Sequence, residues 1–238
     1  MFEYLDKIKL LIDKLTIEQS EQLITASKMV ADVIKNDAII HTLGTGHSQM
    51  IAMEMFSRAS NLANVNAIMD DLVLMTSGAR RSSDIERLSG LAEIIWKRYT
   101  FNKSDLIIII SNSGRNTLPI EMAMKAKKEG LKVIAITSLA HSKNYESRHK
   151  SKKKLYDIAD LVIDNCVPSG DGVINIDDLT YGPASSVLGM IIVNIISTEA
   201  VKTNIARGIK TPIFHSQNID ETENVELYKK FESRIKHL

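Results

Sequence analysis

Cysteine, proline, aromatic side chains and net charge are all scarce in this chain of 238 residues. The lone Cys166 has no partner for an internal disulfide, which excludes a disulfide-stapled scaffold. With only 4 prolines there is little material for a linker, and the length favours one domain over residues 1–238, with 1–35 as an N-terminal helical extension and 204–238 as a C-terminal tail and helix. A formal charge of +1 denies the chain the whole-surface basic field of a nucleic-acid binder. The longest apolar stretch, Val187 to Ile196, is interrupted by Gly189 and Asn194 and falls short of the ~20 residues that cross a bilayer. It reads as a buried helix, so no membrane partner is expected. No basic, apolar leader precedes the opening Met1-Phe2-Glu3-Tyr4, which points to the cytoplasm. What is present, 44% hydrophobic and 25% charged residues, is the composition of a packed globular protein.

Two textures alternate along the chain. Leu5, Ile8, Leu11, Ile12 and Leu15, then Leu23, Ile24, Met29, Val30 and Ile34, recur at helical spacing and predict two amphipathic helices between Glu3 and Lys35. Ala38 to Leu43 predicts a strand, followed by Gly44-Thr45-Gly46-His47-Ser48 and a helix through about Asn61. Val65 to Met69 predicts a second strand, and Ser83 to Tyr99 a helix. Asp105 to Ile110 is a continuous branched run, the mark of a central strand covered on both faces. It ends at Ser111-Asn112-Ser113-Gly114, and a helix follows from about Asn116 to Glu129, with Pro119 in its first turn and Gly130 as its stop. Val133 to Thr137 and Leu161 to Asp164 complete the strands; 180–203 and 224–235 read as helical. Strands alternating with helices predict a parallel sheet covered on both sides.

In a doubly wound sheet of order 2-1-3-4-5 the ligand crevice opens between strands 1 and 3, and both Gly/Ser loops follow those strands. Gly44 and Gly46 let backbone approach a ligand, while Ser48, Ser111, Ser113 and Thr117 offer hydroxyls. Helix N-termini at that edge attract anions. A sugar phosphate suits this chemistry, being anionic at one end and rich in hydroxyls at the other. A dinucleotide is a weaker fit: Gln49 stands where the third glycine belongs, although Asp70 and Asp71 fall where a ribose-binding acid would sit. No Gly-x4-Gly-Lys-Ser/Thr occurs. Turn and cap chemistry alone also favours Ser, Asn and Gly.

These two loops resemble the signature loops of the SIS (sugar isomerase) phosphosugar-binding family, and the tail Thr211-Pro212-Ile213-Phe214 with Asn218 resembles a little-characterised bacterial branch of it. The resemblance implies a three-layer α/β/α sandwich with a five-stranded parallel sheet in flavodoxin-like order. It also implies a homodimer or homotetramer with sites near subunit contacts, and aldose-ketose isomerisation, ether cleavage or ligand sensing as activities. By position, Ser111, Ser113 and Asn116 would hold phosphate, with Gly44, Gly46, Asn112 and Thr117 lining the same pocket and Ser48 near the sugar. Asn116 departs from the serine usual in phosphoheptose isomerases.

Isomerisation needs a base beside the carbonyl carbon. Glu54 is the preferred candidate, seven residues beyond His47 and so on the same helix face. With Arg58 it also forms the ordinary i,i+4 helix pair. On the first loop's alignment Glu54 falls where phosphoheptose isomerases carry a metal-binding histidine and Arg58 on their catalytic glutamate, which argues against their metal site. Glu86 is the second candidate, and His47 a third group able to polarise a hydroxyl or carbonyl. His41, His47, His141, His149, His215 and His237 are scattered with no i,i+4 pair, so no metal and no cofactor is expected. Asp171 and His215 are remoter ligand candidates. The basic run Arg148 to Lys154, without interleaved aromatics, reads as a solvated loop. The expected function is isomerisation of a sugar phosphate. Cleavage of a phosphorylated amino-sugar ether and a sensor without turnover remain open beside it.

Overall fold

The amphipathic opening of the chain folds as two helices, α1 (Glu3–Glu18) and α2 (Ser20–Lys35), whose apolar stripes bury Ile8, Leu15, Leu23, Val30 and Ile34. The computed structural model describes residues 2–219 and 224–238. Beyond α2 come β1 (Ile40–Gly44), α3 (Ser48–Glu54), β2 (Val65–Ala67), α4 (Ala79–Ile85), α5 (Leu91–Trp96) and β3 (Leu106–Ile110). These are followed by α6 (Thr117–Lys128), β4 (Lys132–Thr137), α7 (Leu139–Asn144) and β5 (Leu161–Asp164). A hairpin of β6 (Gly172–Ile176) and β7 (Leu179–Pro183), then α8 (Ser185–Ala206) and α9 (Asn224–Phe231), complete the chain.

The five main strands form one parallel sheet of order β2-β1-β3-β4-β5. Successive side chains on a strand face opposite ways, and here each face has its own core. Ile40, Ile108, Ile134 and Ile163 pack with α1, α2, α3 and α8, while Leu43, Ile107, Ile109 and Val133 pack with α5 and α6. Burial on both faces is why β3 reads as an unbroken apolar run. Gly44 pairs in register with Ile110, so β1 and β3 end side by side and release their loops at one edge.

Three expected elements end differently. The helix after the first loop stops at Glu54, because Ser57 and Ser60 take left-handed conformations (φ 47° and 63°) and the chain turns to pair Leu62 with Ile213 of the tail. The single helix expected over Ser83–Tyr99 is two, broken at Gly90 (φ 88°). Residues 179–183 are strand, not the start of the long helix: Asp177 (φ 50°) and Asp178 make a two-residue hairpin turn. The apolar run around Val187 is embedded in the 22 residues of α8, which is long and apolar enough, by length and composition alone, to cross a membrane. Its buried residues Leu188, Ile192, Val193 and Ile196 join the core formed with α2 and α3. Gly189 allows the close crossing, since a Cβ there would lie 2.2 Å from Ile51 Cδ1.

At the opposite edge of the sheet His41 and Asp105 form a buried pair, with Nε2 to Oδ2 at 3.1 Å. Burial depresses the His41 pKa below 6.5, against the pull of Asp105. Burial alone would raise the Asp105 carboxyl, but hydrogen bonds from His41 and the N–H groups of Ile39 and Asn102 outweigh it and hold it low. Below pH 6.5 the unfolded chain therefore takes up a proton at residue 41 that the folded chain refuses, and stability falls with pH from that point downward. Thermal unfolding between pH 7 and pH 5 is expected to show this slope, and His41→Gln to flatten it; an equal slope in the variant would remove His41 as its source.

Candidate functional site

Gly44 closes β1 where α3 folds back onto the strand end. A Cβ on it would lie 2.2 Å from the Ser48 carbonyl oxygen and 2.7 Å from the Gln49 nitrogen, so only glycine fits. Gly46 then turns the loop with φ 56°. Across the edge, the second loop rests on the elements beyond β4. The Asn112 carbonyl accepts from Ser138 N–H at 3.0 Å and from Thr137 Oγ1 at 3.2 Å, and Asn112 Oδ1 accepts from Asn165 Nδ2 at 2.8 Å. At Gly114 (φ 58°) a Cβ would lie 2.9 Å from Thr137 Oγ1, and its N–H donates to Ser111. Asn112 and Ser111 thus shape the loop. The hydroxyls of Ser48 and Ser113 and the amides of Ser113, Arg115, Asn116 and Thr117 have no hydrogen-bond partner among the described residues. Consecutive free N–H groups in a turned loop form a concavity suited to an anion.

One carboxylate joins the two loops. Glu86, at the end of α4, accepts from Thr45 Oγ1 of the first loop and, at 2.6 Å, from Asn116 Nδ2 of the second. Its carbonyl also takes the Leu118 N–H at 3.0 Å, locking this turn to the first turn of α6. Asn116 Oδ1 accepts from Arg148 Nη1 at 2.7 Å. A guanidinium only donates and a carboxylate only accepts, so the amide's orientation is chemically fixed. Burial pushes the Glu86 pKa above 4.5, against the opposing effects of Thr45, Arg87, Arg148 and Asn116. A carboxylate of raised basicity between two ligand-type loops is what a proton-transfer site requires.

The other candidates lie elsewhere. Glu54 Oε1 accepts from Asn194 Nδ2 of α8 at 3.2 Å and pairs at 3.4 Å with Nε of Arg58, in the turn beyond α3, so this oxygen is engaged by α8 and Arg58. His47 is exposed at the N-cap of α3. Asp70 is buried against Arg98 and accepts from the Leu72 N–H, which makes it part of the turn after β2. Asp171 caps α8, accepting from Ser185 N–H at 2.7 Å and Ser185 Oγ at 2.8 Å. The His215 backbone is pinned on both sides by Asn224. No group of three or more His, Cys, Asp or Glu converges among the described residues.

Sequence reading missed Thr45, Arg115 and Arg148. The run from Arg148 to Lys154, expected as a solvated loop, begins with ordered structure: Arg148 N–H donates to the Arg115 carbonyl at 2.9 Å, and His149 is buried with Nδ1 2.7 Å from Ser151 Oγ.

The SIS domain model matches residues 3–138. A UPF0309 protein of Thermoanaerobacter pseudethanolicus is 39% identical over 246 residues, covering 100% of both chains. One from Caldanaerobacter subterraneus subsp. tengcongensis is 38% identical over 242 residues, 99% of this chain and 98% of its own. Among solved structures, a phosphoheptose isomerase from Neisseria gonorrhoeae superposes with TM-score 0.57 at 14% identity, over 84% of this chain and 95% of that one. The Vibrio vulnificus NanR protein complexed with ManNAc-6P gives 0.53 at 17%, over 85% and 63%. At such identities the likeness is one of fold. The family model spans more than half of the sequence and the curated relatives align end to end, and on both grounds the chain belongs to the SIS domain family, among the UPF0309 proteins.

Proposed function

We propose that the crevice between residues 44–48 and 111–117 binds a phosphorylated sugar and interconverts its aldose and ketose forms, with Glu86 as the base. The observation that carries this reading is the Glu86 carboxylate held between Thr45 and Asn116 with its pKa raised by burial. The free amides and the Ser113 hydroxyl receive the phosphate, and Gly44, Gly46 and Ser48 border the sugar. Asn112 and Ser111 hold the loop in shape. Glu86 removes the proton from the carbon beside the carbonyl and returns it to the neighbouring carbon, through an enediol. His47, exposed at the mouth, moves the hydroxyl proton between the two oxygens. Glu86 replaces Glu54 as the preferred base, because Glu54 is engaged by Arg58 and Asn194. The name of the Neisseria structure supports an isomerase, and the sugar phosphate named with NanR supports the ligand class.

Assembly with further copies is part of the proposal. It is supported by exposed apolar side chains at the N-cap of α1 (Phe2), along α1 (Leu5, Leu10, Ile17) and on the hairpin (Ile176, Leu179). Light scattering at the monomer mass of 26.5 kDa would remove that part.

The test is incubation with aldose, ketose and amino-sugar phosphates in deuterium oxide. Deuterium at the sugar's second carbon with the carbon skeleton intact is the expected result. Loss of a substituent from the adjacent carbon would establish a lyase instead, and tight binding with no exchange a sensor.

A further inference from the structure

The serine loop has less to offer an anion than its fold suggests. A helix start supplies unpaired N–H groups, but in α6 the Leu118 N–H is already given to the Glu86 carbonyl and Pro119 has none to give. Both ends of the Asn116 amide are spent as well, one on Glu86 and one on Arg148. A phosphate monoester carries close to two negative charges at neutral pH; the free amides and the Ser113 hydroxyl can hold its oxygens, but they bring no full positive charge to set against it.

Arg148 supplies what is missing. One of its terminal nitrogens reaches Asn116, at the N-cap of α6, and the rest of its fork has no protein partner among the described residues. Arg115, joined to it by the backbone hydrogen bond of Arg148 N–H to Arg115 O at 2.9 Å, uses only its Nε, on the Glu146 carbonyl at 2.7 Å. Neither guanidinium pairs with a carboxylate among the described residues. The strand of chain carrying Arg148 is anchored. Ser147 Oγ donates to Lys153 O at 2.7 Å, and the buried His149 lies against Glu121 of α6, 3.6 Å away. Burial and the proximity of Arg87 and Arg115 depress the Arg148 pKa, against the opposing pull of the Glu86 carboxylate.

We propose that Arg148, backed by Arg115, is the cationic half of the phosphate subsite. In this subsite the guanidinium fork binds phosphate oxygens bidentately beside the amides of the serine loop, and Asn116 serves as its bracket rather than as a phosphate ligand. The proposal rests on the reading of this crevice as a sugar-phosphate site and adds which residue carries the charge. Ligands of the subsite are phosphate monoesters; the unphosphorylated sugars forgo the charge-assisted bonds to the guanidiniums and bind more weakly.

Titration calorimetry of the full chain with inorganic phosphate, fructose 6-phosphate, glucosamine 6-phosphate and the two unphosphorylated sugars tests it. Arg148→Gln is expected to weaken the phosphorylated ligands and inorganic phosphate roughly 10- to 100-fold, the size of a lost charge-assisted pair. Arg148→Lys, which keeps a point charge but not the fork, should fall between, and it also covers the case in which the uncharged variant perturbs the loop. Ser113→Ala reports on the serine loop independently. If Arg148→Gln binds within threefold of wild type while Ser113→Ala is weakened, the arginine subsite is wrong and the loop reading stands. If wild type binds no phosphate, or both variants bind as wild type does, both readings are overturned.

Discussion

Glu86→Gln is expected to remove isomerisation and solvent exchange while leaving phosphorylated-sugar affinity within a few fold of wild type. The isostere keeps the shape of the bridge and loses the base, and the contribution of a positioned general base is about 10^2- to 10^4-fold in turnover. A pH profile adds a second reading. Catalysis needs the carboxylate ionised, so activity falls on the acid side through the Glu86 pKa, which burial has raised above 4.5. The Thr45 hydrogen bond opposes that rise. Thr45→Val should therefore move the acid limb to higher pH. Full activity in Glu86→Gln, measured by coupled assay or by deuterium uptake, would return the role of base to Glu54. In that case Glu54→Gln should carry the loss instead.

Gly44→Ala should disable the site by a different route. Its φ is unremarkable for any residue, so the cost is purely steric: the added methyl would lie within 2.2 to 2.7 Å of the Ser48 carbonyl and Gln49 nitrogen, which are backbone and cannot rotate away. Overpacking of this kind costs roughly 1 to 3 kcal/mol. Relief requires α3 to move off the end of β1, carrying Thr45 away from Glu86. Chemical denaturation should show the lost stability, and calorimetry the lost ligand affinity. Gly46→Ala is a useful contrast, since a Cβ there meets nothing within 4 Å and only its φ of 56° is penalised. Equal stability for Gly44→Ala and wild type would show that α3 starts elsewhere in solution.

The sheet was legible because a strand covered on both faces must be apolar at every position, and Leu106 to Ile110 is so. Both loops were legible for a related reason, since glycine and serine interrupt that texture abruptly. The β6–β7 hairpin was not, because Leu179 to Tyr181 merges into the apolar content of α8 and its turn is made by two aspartates rather than by Asn-Gly. Choosing Glu54 over Glu86 followed proximity in the chain. Glu54 is nine residues from Thr45 and Glu86 forty-one, yet the crossover from β2 through α4 brings the distant residue to the loop, while Arg58 and Asn194 of α8 engage the near one. Arg148 was hidden among lysines whose charge is identical; burial of its neighbour His149, which no local pattern encodes, is what separates it from them.

The two oxygens of Glu86 are not equivalent. Oε1 faces an amide nitrogen, which holds hydrogens and has no lone pair to offer, so Asn116 can never accept a proton carried on that oxygen. Oε2 faces a hydroxyl, which is able to swivel from giving a hydrogen to receiving one. In the proposed reaction a proton lifted from a sugar is therefore expected on Oε2, where Thr45 can turn to accept it while the Asn116–Arg148 arm stands still. The carboxyl is a one-sided vessel, and residue 45 is its hinge.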